Sequence, residues 1–156
     1  MRTLILTAAV LIAAVGLPAQ DDQGGPAQTV EKFLNALSTQ DFAFIRAVFT
    51  QDSVTTAILP DGQLSSAPSA EDLIKRLAAS KEPSLERMWD PKVLEHGSMA
   101  TVWTPYDFYR SGKFSHCGIN NFTLVRLDGK WKIRNIVFTV EKTGCPASPL
   151  GPPTFK

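Results

Sequence analysis

Cysteine and histidine are scarce in this chain, with two of each among 156 residues. Two cysteines exclude a small scaffold stapled by many disulfides. Two histidines, His96 and His116, exclude histidine-rich metal centres, so any metal would have to be gathered by carboxylates from distant segments. No metal and no cofactor is expected. No Gly-x-Gly-x-x-Gly, phosphate loop, His-Glu-x-x-His, Gly-x-Ser-x-Gly or Cys-x-x-Cys pattern occurs, which removes the common dinucleotide, phosphate, zinc-protease, hydrolase and redox signatures. Excess charge is missing too. Sixteen Lys and Arg against fifteen Asp and Glu leave a net charge of +1, and loss of Arg2 with a cleaved leader would bring it to zero. Such a balance offers no electrostatic footprint for nucleic acid and no polybasic attraction to anionic lipid. With 44% hydrophobic and 20% charged residues, the remainder has the composition of one ordinary soluble domain.

No uncharged apolar run reaches the roughly 20 residues that a membrane-spanning helix needs. The longest, Leu4 to Leu17, follows Arg2 and ends near Pro18-Ala19. Its length and flanks read as a secretory leader over residues 1–19, with cleavage after Ala19 and no nearby cysteine to acylate. The product is expected to be secreted or periplasmic and free of the membrane once cleaved, with residues 20–25 as a flexible lead-in.

Beyond the leader, helices come first and strands afterwards. Val30, Phe33, Leu34 and Leu37 form one apolar stripe at helical spacing, predicting a helix over 26–38 with Pro26 in its first turn. Phe42, Ile45, Val48 and Phe49 continue that spacing after Asp41, a good N-cap. Ser53 to Leu59 reads as a strand closed by the turn Pro60-Asp61-Gly62, and Ser69-Ala70-Glu71-Asp72 has capping-box spacing before a third short helix. Four strands then follow, over 85–95, 98–110, 113–127 and 130–141, separated by His96-Gly97, Ser111-Gly112 and Asp128-Gly129. Short Gly-containing separators predict an antiparallel meander. Four prolines between Pro146 and Lys156 predict an extended, loosely ordered tail.

Register arithmetic places side chains on faces. A two-residue Asp128-Gly129 turn puts Leu127 opposite Lys130, so cross-strand residue numbers total 257. One face then carries His116, Asn120, Leu124, Trp131, Ile133 and Asn135, apolar near the turn and polar at the far end, as suits the closed base and mouth of a pocket. His116 falls opposite Glu141. That placement fits an inter-strand hydrogen-bonded pair, contact with a ligand, or acid-base chemistry. At Ser111-Gly112 a two-residue turn would bring Asp107 and Tyr109 to this face; a three-residue turn with a Gly bulge would bring Tyr106 and Phe108. The second is preferred as the more apolar parity. An oxidising compartment and an even count favour a Cys117–Cys145 disulfide. It requires the chain to fold back at Thr143-Gly144, because Cys145 lies five residues beyond the position opposite Cys117.

The element order, together with Glu86-Arg87-Met88-Trp89, the stretch Met99 to Phe108, Phe114-Ser115-His116-Cys117-Gly118, Phe122-Thr123-Leu124-Val125, Gly129-Lys130-Trp131-Lys132-Ile133 and Gly144-Cys145-Pro146, resembles the nuclear transport factor 2-like superfamily. More narrowly it resembles the exported SnoaL-like branch, also named for lumazine binding. The resemblance implies an α+β fold, a cystatin-like cone of strongly curved antiparallel sheet wrapped on helices over residues 26–145, followed by the tail 146–156. It implies an interior pocket for a small hydrophobic or ring-bearing ligand, with Trp103, Tyr106, Phe108, His116, Asn120, Trp131 and Asn135 as candidate contacts. The first expectation is therefore an exported small-molecule-binding domain. One alternative is a cofactor-independent isomerase or dehydratase with His116 as acid or base; another is a structural domain that pairs through its outer sheet face as a homodimer.

Overall fold

Burial of the Val30, Phe33, Leu34 and Leu37 stripe organises the first helix, α1 (Pro26–Thr39), which ends at Gln40 in the left-handed region. A computed structural model of the protein describes residues 24–155. The leader at 1–19 and positions 20–23 of the lead-in lie outside the described residues. Helix α2 (Phe42–Val48) starts at Asp41, whose carboxylate accepts the Phe44 N–H at 3.0 Å. The helical spacing predicted to include Phe49 stops one residue short. Phe49 turns extended and opens strand β1 (Phe49–Ile58), where its ring meets Phe33 edge-on at 5.3 Å. That contact accounts for a strand beginning four residues earlier than its Val/Thr-rich core predicts.

Strand β2 (Leu64–Ala67) pairs antiparallel with β1 and has no forewarning in the sequence, since four residues rich in serine carry no readable period. Helix α3 (Ala70–Ala79) is capped by Ser69, whose Oγ accepts the Asp72 N–H at 3.1 Å and donates to the Asp72 carboxylate at 2.6 Å. The strand predicted over 85–95 is two strands, β3 (Ser84–Met88) and β4 (Lys92–His96). Asp90 at φ 47° and the donorless Pro91 break it, and the halves pair with opposite ends of β5 (Met99–Arg110). Strands β6 (Lys113–Leu127) and β7 (Lys130–Thr139) complete the order β2-β1-β7-β6-β5-β3, with β4 also on β5. The later strands form the expected antiparallel meander. Strand β1 joins β7 in parallel, so the sheet is mixed.

Two bulges decide which residues face inward. The Ser111-Gly112 turn has two residues, both at positive φ, with Arg110 opposite Lys113. The extra residue enters one step later at Ser115: Tyr109 faces Phe114, but Phe108 faces His116. Tyr106 and Phe108 thus point inward, as preferred above, through a bulge within β6 rather than a three-residue turn. Between β6 and β7 the predicted pairs hold from Leu127–Lys130 to Leu124–Ile133. Arg134 is then extra, and Thr123 faces Asn135. Beyond it every predicted pair slips by one, so Asn135 and Val137 turn outward while Ile136 and Phe138 turn inward. The Arg134 guanidinium holds the Asp52 carbonyl in the equally irregular start of β1.

The buried core fills the end of the sheet near the Asp128-Gly129 turn, where Val30, Phe33, Ile45, Val102, Phe122, Leu124, Trp131 and Ile133 pack together. At the other end the tail is held down rather than loose. Cys117 and Cys145 are joined, with sulfurs 2.09 Å and α-carbons 5.9 Å apart. Arg87 donates to the Gly151 carbonyl at 3.0 Å, and Phe155 meets Tyr109 edge-on at 6.0 Å. Beside these contacts lies a two-pronged ion pair, Arg87 Nε to Asp107 Oδ1 at 3.0 Å and Nη2 to Oδ2 at 2.5 Å, with Asp107 buried.

Candidate functional site

Where the helices leave the sheet uncovered, a cavity of about 380 Å³ opens. Phe33 and Leu37 of α1 and Leu73 and Leu77 of α3 form one wall; Ala57, Ile136 and Phe138 form the opposite one. Strands β5 and β6 contribute Tyr106, Phe108, Arg110, His116, Asn120 and Phe122, and β3 contributes Glu86. Four residues predicted from the sequence therefore line one space: Tyr106, Phe108, His116 and Asn120.

The other three do not. Trp103 lies on the opposite parity of β5 and is 50% exposed on the outer face. Trp131 is inward but belongs to the packed end, where it is 1% exposed and the Arg126 guanidinium stacks on its ring at 4.4 Å. Asn135 faces outward because of the Arg134 bulge.

Glu86, Arg76 and Arg110 are charged lining residues that the sequence did not single out. Local alternation says only that Ser84, Glu86 and Met88 share a face; the pairing of Glu86 with Phe108 shows that this face is the cavity's. Asn120 Nδ2 donates to Glu86 Oε1 at 2.7 Å. The residue is partly accessible through the cavity, yet burial of its carboxyl raises its pKa from 4.5 to about 7, with the Asp107 charge adding to the rise and the Asn120 hydrogen bond opposing it. Near neutral pH the carboxyl is thus divided between an ionised form that only accepts and a protonated form that also donates.

His116 stacks on Phe108 at 4.8 Å and meets Tyr106 edge-on at 5.8 Å, with Nδ1 3.0 Å from the Ser115 hydroxyl. Its predicted partner is elsewhere. Glu141 pairs through its backbone with Cys117, and its carboxylate accepts from the Thr139 hydroxyl at 3.0 Å. Burial, then the charges of Arg110 and Lys142, lowers the His116 pKa to about 4, so the imidazole is neutral at physiological pH. The Tyr106 hydroxyl donates to the Thr139 carbonyl at 2.6 Å, and burial pushes its pKa upward. Gly118 permits that closure, because a β-carbon there would lie 2.2 Å from the same carbonyl oxygen.

No protein-family model and no curated protein matches the chain. Solved structures do. A protein of unknown function with a cystatin-like fold from Nostoc punctiforme shares 15% identity, with 80% of this chain and 91% of that one covered at a TM-score of 0.60. A nuclear transport factor 2-like protein from Novosphingobium aromaticivorans shares 13% identity over 76% of this chain and 80% of that one, at a TM-score of 0.63. A third, from the same organism, is provisionally assigned as the beta subunit of an aromatic-ring-hydroxylating dioxygenase; it shares 12% identity over 85% of this chain and 96% of that one, at 0.63. The chain has the cystatin-like, nuclear transport factor 2-like fold.

Proposed function

We propose that this is an exported binding protein for a small hydrophobic or ring-bearing molecule, of the SnoaL-like kind. The observation that carries the reading is the Glu86–Asn120 pair in a largely apolar cavity large enough for such a ligand. Glu86 Oε2 and Asn120 Oδ1 have no protein partner among the described residues, and a polar end on the ligand would satisfy them. Export is supported by the Arg2 to Leu17 pattern and by the joined cysteines, which suit an oxidising compartment. The test is native mass spectrometry of protein purified from its exported fraction, followed by titration with the molecule recovered. Asn120→Ala should weaken binding about tenfold, roughly 1.4 kcal/mol, and Asn135→Ala should leave it unchanged. No recovered molecule, and no melting shift with any of a panel of ring-bearing compounds, would overturn the reading.

A proton-transfer enzyme is the second reading, and its acid-base group moves from His116 to Glu86. An imidazole held neutral down to about pH 4 is a weak base, whereas a carboxyl at about 7 is matched to neutral-pH proton transfer. A turnover profile inflecting near pH 7 and abolished by Glu86→Gln would establish it. Pairing of two copies is the accompanying structural proposal, supported by Leu94, Trp103 and Val137 exposed on the outer face of β4, β5 and β7.

A further inference from the structure

The described arginines divide into two groups. Arg46, Arg87 and Arg126 are each paired with a carboxylate, from Glu71, Asp107 and Glu95. Arg76, Arg110 and Arg134 are not, and two of those three line the cavity. Both Arg76 and Arg110 are exposed residues, so they stand at its opening. Arg76 spends its guanidinium on neutral oxygens, the Ser65 hydroxyl and the Ser66 carbonyl. Arg110 lies over the Phe108 ring at 5.5 Å, with no carboxylate partner among the described residues. The direct contacts of nearby acids are made elsewhere, those of Asp72 with Ser69 and Lys75 and that of Glu141 with the Thr139 hydroxyl, so Arg76 meets Asp72 through charge alone, without an ion-pair contact. Lys142 adds a further positive charge beside His116. Inside, the one carboxyl lining the cavity among the described residues is Glu86. A protein whose overall charge is balanced thus sets two arginines, neither ion-paired to a carboxylate among the described residues, at the opening of one largely apolar cavity.

Resting on the binding reading above, we propose that the ligand is an amphipathic anion: an apolar or ring-bearing body in the cavity, and a carboxylate or comparable anionic group held at the opening by Arg76 and Arg110. The stacked Phe108 and His116 rings offer a flat apolar surface to the body. A guanidinium fork gives the head group directional hydrogen bonds, and the pair of arginines gives it charge.

Matched probes separate this inference from the one beneath it. Naphthoate and dodecanoate are titrated calorimetrically against naphthylmethanol and dodecanol, the alcohols of the same skeletons. The expected result is at least tenfold tighter binding of a carboxylate than of its alcohol, with a preference that shrinks as salt is raised. Arg110→Gln and Arg76→Gln should each remove most of that preference and leave alcohol binding unchanged, while Arg110→Lys retains part of it. Melting temperatures matching the parent protein verify that the variants are folded. Equal affinity for carboxylate and alcohol, or a preference indifferent to both Gln variants, would overturn the anionic inference and leave the binding reading standing. Failure of every probe to bind would overturn both.

Discussion

Replacing Glu86 by Gln should stabilise the protein at alkaline pH and leave it unaltered in mild acid. The folded-state pKa of about 7 stands above the ordinary 4.5 of an exposed glutamate, so between those values the fold holds a proton that the unfolded chain has released. Stability therefore falls as pH rises through that window, and the loss is complete above about 7. At about 1.4 kcal/mol per factor of ten, a gap of roughly 2.5 in pKa amounts to about 3 kcal/mol. Gln is nearly isosteric, stays neutral at every pH, and presents an Oε1 that accepts the same Asn120 N–H. Urea denaturation of both proteins from about pH 4 to pH 8, with the disulfide intact, isolates the effect as a difference, because the other carboxylates titrate alike in each. The two should coincide near pH 4, below the unfolded pKa, and E86Q should be more stable by about 3 kcal/mol near pH 8, on the order of 10 °C in melting temperature. A stability difference that stays constant across this range would refute the buried, proton-holding carboxyl, and with it the neutral-pH donor at the base of the cavity.

Gly118→Ala sets a β-carbon against the Thr139 carbonyl and should lower stability by about 2 kcal/mol; an unchanged melting temperature would contradict the close approach of β6 and β7. Reducing Cys117–Cys145 opens a closure of 28 residues and should cost about 3 to 4 kcal/mol, seen as a lower denaturation midpoint and earlier proteolysis near Gly151. Trp103→Arg places a charge amid the exposed apolar outer face; sedimentation should show a dimer for the parent protein and a monomer for the variant. Phe33→Ala removes the ring packed edge-on to both Phe49 and Phe122 and should cost about 3 to 5 kcal/mol of unfolding free energy.

Local chemistry made much of the architecture readable in advance. The α1 stripe, the Asp41 and Ser69 caps and the Gly-containing turns are short-range signals, and each marks an element found at that place. What escaped depends on distant pairing. The parallel join of β1 to β7 brings together segments some eighty residues apart, and nothing in either encodes the other. The cavity residues divide along the same line. Tyr106 and Phe108 follow from the apolar parity of their own strand, whereas Asn135 was assigned by counting through a position where the ladder gains a residue. Trp103 shows that an aromatic residue alone does not mark an inner face, and Trp131 that an inner face does not mark the cavity. Glu86 lay hidden because a charged residue within a short strand reads as solvated until its neighbour Phe108 is known.

The bulges at Ser115 and Arg134 also bear on how chain length can vary in this fold. Deleting either extra residue would straighten a strand and leave the residues on both sides facing as they do now. Deleting one residue from the regular run between Phe122 and Ile119 would turn part of the cavity wall inside out. Codon gain and loss should therefore be tolerated at two defined places and rejected between them. Sequences descended from this one should carry their gaps there, and an alignment that ignores those gaps would match cavity residues of one protein to surface residues of another.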